Sequence, residues 1–321
     1  MPIRTPLTTL LGLTHPVIAA PMAFVSGGAL AAAVSNAGGL GFLAGGYADS
    51  RDFLARELRA AGNARIGVGF ITWSLAQRDP GLIDLALDHA PAAVWLSFGD
   101  ARPFADRVKA AGSLLILQVQ SVAMAREAVD LGADVVVAQG AEAGGHGDIR
   151  STLPLVPAVI DAVHPVPVVA AGGIADGRGL AAALMLGAAG VACGTAFYAA
   201  DEALAHPAAK ARLVATSGDA TQRSSVTDVA RRLEWPGSWT IRTLDNDFTR
   251  RWRNEPGALR ADPAEIDRYA QARDAGDFET AAVIAGEAAD LVRAVEPAAH
   301  ILNRMVSEAE ALLRQAPALL A

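Results

Sequence analysis

This chain predicts a (β/α)8 barrel, the TIM-barrel class of α/β fold, with a mostly helical C-terminal extension. Three observations point to it. Short runs rich in valine, isoleucine and leucine alternate with alanine-rich helical stretches from about residue 15 to 200. The runs are continuously apolar, as strands buried on both faces are, which means a parallel sheet covered by helices. There are eight of them, the number that closes a barrel. A doubly wound open sheet is the competing arrangement.

The strands are read in order as "HPVIAA" (15–20), "GLGFLAG" (39–45), "ARIGVGFI" (64–71), "AAVWLSF" (92–98), "SLLILQV" (113–119), "ADVVVAQ" (133–139), "PVVAA" (167–171) and "AGVACGT" (189–195). Between them lie "GALAAAVSNAG", "SRDFLARELRAAG", "PGLIDLALDHA", "RPFADRVKAAG", "VAMAREAVDLG", "LPLVPAVIDAVH" and "GRGLAAALMLG". Most end in glycine just before the next apolar run, a common helix C-terminal signal. "LGADVVVAQG" (131–140) and "LGAAGVACGT" (186–195) share one turn-then-strand grammar, as repeated units do.

After residue 200 the character changes. "HPAAKARLVATSGDATQRSSVTDVARRLEWPGSWTIRTLDNDF" is mixed and polar, and holds two of the five tryptophans. Residues 263–315 read as helical, in "DPAEIDRYAQARDAG", "DFETAAVIAGEAADLVRAV" and "EPAAHILNRMVSEAEALLRQ", with Asp262-Pro263 and Glu296-Pro297 as helix starts. Residues 1–200 are therefore expected to form the barrel. Residues 201–321 are expected to form an extension that packs on it and covers the site.

Composition narrows the function. A 321-residue chain that is 52% hydrophobic and 19% charged has ample material for a buried core. The net charge of −7 and pI near 5.4 argue against a nucleic-acid footprint. The most basic stretch, "FTRRWR" (248–253), reads as a solvated helix face or a subunit contact, so a homodimer is one expectation. One cysteine, Cys193, excludes an internal disulfide and a multi-cysteine metal site, which fits a reducing cytoplasm. The N-terminal segment is too short in its apolar part for a secretory signal. The uncharged stretch from Gly179 to Ala200 approaches membrane-span length. Its glycines at 187, 190 and 194 make it a buried helix turning into a buried strand, so no membrane partner is expected.

In such a barrel, ligands sit at the C-terminal ends of the strands. Those ends are Pro21-Met22-Ala23, Gly45-Gly46, Gly69-Phe70, Phe98-Gly99, Gln118 to Gln120, Gln139 to His146, Gly172-Gly173 and Gly194-Thr195. The last two pairs follow strands seven and eight, the usual phosphate position. Their glycines let backbone N–H groups approach phosphate oxygens, Thr195 adds a hydroxyl, and "ADGRGLAAA" offers a helix N-terminus. No G-x-G-x-x-G after a first strand and no P-loop motif occurs, so a Rossmann or P-loop nucleotide site is unsupported.

Six histidines are present, and only His146 stands on a glycine-rich stretch, "QGAEAGGHGD" (139–148), at a strand end. A neutral imidazole there is suited to taking a proton from a carbon acid. Glu142 and Asp148 are both candidates to orient it, or are simply solvated. No second histidine or carboxylate pair offers a metal site, and no nucleophile elbow is present. Cys193 is placed among the cofactor contacts, with burial as a small hydrophobe the competing reading.

Three blocks, "APMAFVSGGALAAAVSNAGGLGFLAGG" (20–46), "VVVAQGAEAGGHGD" (135–148) and "PVVAAGGIADGRGLAAALMLGAAGVACGTAF" (167–197), resemble the nitronate monooxygenases, formerly called 2-nitropropane dioxygenases. The flavin-dependent enoyl reductases of fatty-acid synthesis belong to the same superfamily. The resemblance implies non-covalently bound FMN. Pro21, Met22 and Ala23 would lie against the isoalloxazine through the backbone. Gln118 and Gln139 would sit near the ring or ribityl chain, with Gly144 and Gly145 lining the pocket. Gly172, Gly173, Gly194 and Thr195 would hold the phosphate, with Ala171 and Cys193 as further cofactor contacts. His146 would take the α-proton of a neutral nitroalkane, and the nitronate would then reduce the flavin, with O2 completing turnover. One departure stands out. Gly69 occupies the place of an asparagine typical of the bacterial class, which removes an amide and is expected to open space, partly filled by Phe70 or Trp73. An NAD(P)H-dependent FMN reductase of quinones or enoyl thioesters is therefore the alternative activity.

Overall fold

The computed structural model describes residues 3–47, 50–237 and 239–320. Its strands, in chain order, are β1 (Val17–Ala19), β2 (Leu40–Ala44), β3 (Gly67–Ile71), β4 (Ala93–Ser97), β5 (Leu114–Val119), β6 (Val135–Gln139), β7 (Gly145–Gly147), β8 (Val168–Ala171), β9 (Gly190–Cys193), β10 (Thr221–Ser224) and β11 (Thr240–Leu244). All eight sequence-read strands are present, and they form a closed parallel barrel in the order β1-β2-β3-β4-β5-β6-β8-β9. Closure is made by β9 on β1, with Ile18 opposite Ala192 and Ala19 opposite Cys193. The open sheet is excluded.

Alternation along each strand makes two apolar layers. Ile18, Phe42, Trp95, Ile116, Val137 and Val169 fill the barrel interior, and Phe42 meets Trp95 edge-on at 5.3 Å. Leu7 and Leu11, from the helix Pro6–Leu11, join this cluster at the N-terminal ends of the strands, where Leu7 packs against Gly190. Val17, Leu43, Val68, Val94, Leu115, Val136 and Val191 face outward into the helices. The helices begin where the sequence supplies a cap: Ser50 accepts from the Phe53 N–H, Ser121 from Met124 and Asp176 from Arg178. The uncharged stretch after Gly179 resolves into the helix Gly177–Met185, strand β9 and the short helix Thr195–Tyr198. Among the described residues, no helix is long and apolar enough to cross a membrane.

Beyond residue 200 the structure differs from expectation in two places. The polar segment contains a hairpin, β10 paired antiparallel with β11, and β11 also pairs with β7, so that Ile241 lies opposite His146. The glycine-rich stretch after β6 is therefore edge-paired backbone rather than a loose loop. The second difference is "DFETAAVIAGEAADLVRAV", which forms only a short 3-10 turn, Glu287–Leu291. Its backbone is claimed by other elements. Val283 O accepts from Leu244 N–H at 2.8 Å, Gly286 N–H donates to Thr195 Oγ1 at 2.9 Å, and Glu287 N–H donates to Glu142 O at 2.9 Å. Tertiary pairing here overrides the helix propensity of its alanines.

A separate small core of Val226, Phe248, Trp252, Leu259, Ile266 and Tyr269 holds the helices Asp247–Trp252, Pro256–Arg260 and Pro263–Ala275 together. The long final helix, Ala298–Gln315, returns to the barrel and packs along the helices Gly177–Met185 and Gly28–Asn36. Gly177 permits this approach, since a Cβ there would lie 2.5 Å from Ala309 N.

Candidate active site

The C-terminal ends of the barrel strands open into a cavity. Pro21, Met22, Ala23, Gly69, Gln118, Gln139, Gly144, Gly145, His146, Ala171, Gly172, Gly173, Gly194 and Thr195 all line it.

Cys193 does not line the cavity and is corrected here. Strand alternation turns its thiol outward with Val191 into the helix-facing core, where it is buried. Burial pushes the thiol up to about 12, which removes thiolate chemistry near neutral pH. A second correction concerns Gly69. The missing side chain does not leave a void filled by Phe70 or Trp73. The ring of Pro21 sits in that place, 2.4 Å from where a Cβ would be. Gly69 thus lets the segment after β1 close onto β3.

The helix N-terminus at "ADGRG" is also not available to an anion. Asp176 accepts from the N–H groups of Arg178 and Gly179, and Gly177 N–H donates to Glu308 at 3.0 Å. The donors left for a phosphate lie one turn earlier and on the neighbouring strand. Gly173 and Gly194 carry N–H groups with no acceptor among the described residues. Gly172 and Gly173 hold left-handed backbone, at φ 105° and 72°. A Cβ on Gly172 would meet Thr152 Oγ1 at 2.9 Å, so that turn requires glycine. At the segment after β1, Met22 N–H is spent on Ser26 Oγ at 3.1 Å. Two glutamines converge across the floor: Gln118 and Gln120 each donate an amide N–H to Gln139 Oε1, at 2.9 and 3.0 Å.

The loop from Gly140 to Gly147 is held by arginines of the hairpin. Arg223 donates to the carbonyls of Ala141, Ala143 and Gly145, at 3.0, 3.0 and 3.2 Å, and to Thr240. Burial draws its guanidinium down to about 10, with the neighbouring charge of Arg242 adding to the effect. Arg242 itself donates to Ala141 O at 3.0 Å and pairs with Glu287 at 2.8 Å. Glu142 accepts from the Thr152 N–H and hydroxyl, and Asp148 accepts from the Ile149 N–H. Neither touches the imidazole.

The carboxylate that does is Asp228, from the helix Val226–Ala230, 82 residues further on. His146 Nε2 lies 3.0 and 2.9 Å from its two oxygens, and the two side chains are only 6% and 5% exposed. Trp235 stacks on the ring at a centroid distance of 3.3 Å, and Phe98 meets it edge-on at 6.3 Å. With Nε2–H committed to Asp228, the lone pair rests on Nδ1. Desolvation pulls the imidazole below its ordinary pKa. Asp228 pulls the other way, and the charges of Arg231 and Arg223 lower it again. The net result is a neutral, oriented imidazole lining the cavity.

Around it stand several aromatic rings. Trp235 packs against Tyr47, Trp73 and Phe98, its indole donating to the Tyr47 hydroxyl at 3.3 Å. Phe98 adopts left-handed backbone, φ 61°, to reach this cluster. Asp228, Arg231, Tyr47 and Trp235 were the residues missed. Their only signal was two tryptophans on an otherwise polar segment.

A nitronate monooxygenase family model matches residues 4–65 and 68–308. Among curated relatives, nitronate monooxygenase npaC of Metarhizium robertsii is 39% identical over 92% of this chain and 91% of its own length. Among solved structures, FabK of Thermotoga maritima is 30% identical, with a TM-score of 0.85 over 99% of both chains. A nitroalkane oxidase of Streptomyces ansochromogenes is 31% identical, with a TM-score of 0.81 over 97% of this chain and 99% of its own. The chain belongs to the nitronate monooxygenase family and is an oxidoreductase of that flavoprotein family.

Proposed function

We propose that this protein binds FMN at the barrel mouth and oxidises alkyl nitronates and nitroalkanes with O2, with His146 as the base. The observation that carries the reading is the buried His146–Asp228 pair at the cavity that the barrel strand ends form. The residues present fit the cofactor. The unspent N–H groups of Gly173 and Gly194 and the Thr195 hydroxyl suit a phosphate. Apolar walls at Pro21, Met22 and Ala171 suit a flat ring, and Gln118 and Gln139 suit polar groups between the two. When bound, the flavin supplies the electron transfer between substrate and oxygen.

The protein's own task is proton transfer and positioning. His146 Nδ1 accepts the α-proton of a neutral nitroalkane, and Asp228 stabilises the imidazolium that forms. Trp235 fixes the plane of the ring by stacking on it. Burial holds the resting imidazole neutral, so the base is ready near pH 7. A preformed nitronate bypasses this step.

Two measurements test the reading. The purified protein should absorb near 450 nm and bleach when mixed anaerobically with a nitronate. A colourless protein, or one bleached only by NADH or NADPH, would overturn the assignment in favour of another barrel enzyme or a reductase. Secondly, His146→Asn should slow turnover of neutral nitroalkane by about a hundredfold more than turnover of the matching nitronate. Equal losses would make His146 a binding residue.

A further inference from the structure

The floor of the cavity holds a polar group that the proton-transfer machinery does not use. Trp95 stands on β4 in the barrel interior with Ile116 and Val137, lines the cavity and is 1% exposed. Its indole Nε1 is buried and meets no acceptor among the described residues. A buried tryptophan N–H usually finds one, because leaving it bare forfeits the bond it made to water. The ring of Phe42, which meets Trp95 edge-on at 5.3 Å, offers at most a π face, a weaker acceptor than a carbonyl oxygen.

The strand order places this donor opposite the phosphate end of the cavity. Four steps round the cylinder from β8 and β9 lead to β3 and β4. A cofactor with its phosphate at Gly173 and Gly194 that reaches across the mouth brings its far end, the isoalloxazine, to β3 and β4. The neighbouring side chains there have no donor to give. Gly69, the register partner of Trp95, has no side chain, and the Pro21 ring fills its place. Ser97 spends its hydroxyl on Phe70 O at 3.3 Å. The isoalloxazine carries carbonyl oxygens and ring nitrogens that give up water on entering an apolar pocket, and each needs a replacement donor. We infer that Trp95 is a cofactor-binding residue whose indole N–H donates to a polar atom of the isoalloxazine. This rests on the FMN part of the reading above and is independent of the nitro substrate.

The test removes the donor and keeps the shape. Trp95 is replaced by 3-benzothienylalanine, which has sulfur in place of N–H, and separately by phenylalanine in Trp95→Phe. Kd is measured for FMN and for lumiflavin, the ring system without ribityl chain or phosphate. Both flavins should bind the sulfur analogue about 5- to 150-fold more weakly than the wild-type, as an acceptor left bare would. Unchanged affinities overturn the inference. So does a loss for FMN alone, which would put the donor on the ribityl chain, or a loss in Trp95→Phe alone, which would be a packing effect.

Heteronuclear NMR gives a readout without turnover. The indole N–H resonance that Trp95→Phe deletes should move downfield when lumiflavin binds the wild-type. A resonance that stays in place would leave the N–H on the Phe42 ring and overturn the inference. A protein that binds both flavins through Trp95 yet is not bleached by a nitronate keeps this inference and loses only the proposed substrate. One that binds neither flavin overturns this inference together with the FMN reading.

Discussion

Asp228→Asn isolates what the buried carboxylate gives the base. Asparagine keeps the shape, and its carbonyl oxygen can still accept from Nε2–H, so the tautomer with the lone pair on Nδ1 survives. Only the charge is lost. On the proposed mechanism, proton abstraction creates an imidazolium whose Nε2 is 2.9 to 3.0 Å from carboxylate oxygens, with both side chains almost fully buried. For charges about 4 Å apart at an effective dielectric near 20, the attraction is roughly 4 kcal/mol. The amide dipole returns about half of this, leaving a deficit of about 2 to 3 kcal/mol. At 1.36 kcal/mol per tenfold, kcat/KM for a neutral nitroalkane should fall about 30- to 150-fold. The sign of the pH effect follows from the same charge. Asp228 raises the pKa of His146 against the depression caused by burial, Arg231 and Arg223. Without it, the resting imidazole protonates only at lower pH, so the acid limb of the rate profile should move down as the plateau drops. The assay is oxygen consumption across pH 5 to 9 on 1-nitropropane and on its preformed nitronate. A plateau loss with an unmoved limb, or equal losses on the two substrates, would refute the role given to Asp228.

Three further outcomes follow from the geometry. Gly69→Asn should lower stability by about 1 to 3 kcal/mol and weaken flavin retention on dialysis, because its Cβ meets the Pro21 ring at 2.4 Å. Full retention with an unchanged Tm would show that the segment after β1 yields freely. Cys193 should resist a thiol reagent in the native protein and react on denaturation, given its burial and a thiol pushed up to about 12. Fast native labelling would contradict its outward place in the core. Arg223→Met leaves the carbonyls of Ala141, Ala143 and Gly145 without their donor, and should cost about 3 kcal/mol in denaturant melts. A shift under about 0.5 kcal/mol would mean that water replaces the guanidinium.

The barrel was legible because its signal is redundant. Eight apolar runs separated by glycine-capped helices admit few arrangements, and each strand end then fixes a cavity position by geometry alone. Cys193 was misplaced although the information was present: it shares the parity of Val191, and Val191 has to face the helices. The hairpin was not legible, since "TQRS" and "GHG" carry no apolar pattern and owe their strand form to pairing with β11. The stretch from 277 to 295 misled in the opposite direction. Its alanines favour a helix, but Thr195, Glu142 and β11 take its backbone hydrogen bonds. The place of His146 at the cavity could be picked out from its glycine-rich surroundings. Its partner could not, because no spacing rule connects residues 146 and 228.

That separation has a bearing on how the enzyme comes into being. Synthesis delivers the imidazole 82 residues ahead of the carboxylate that hydrogen-bonds it, so an unfinished chain lacks the pair. On the proposed reading, a lesion confined to the region around Asp228 and Trp235 would slow proton removal while sparing substrates that arrive already ionised. The ratio of those two activities is then a gauge of whether the last third of the polypeptide has settled into place.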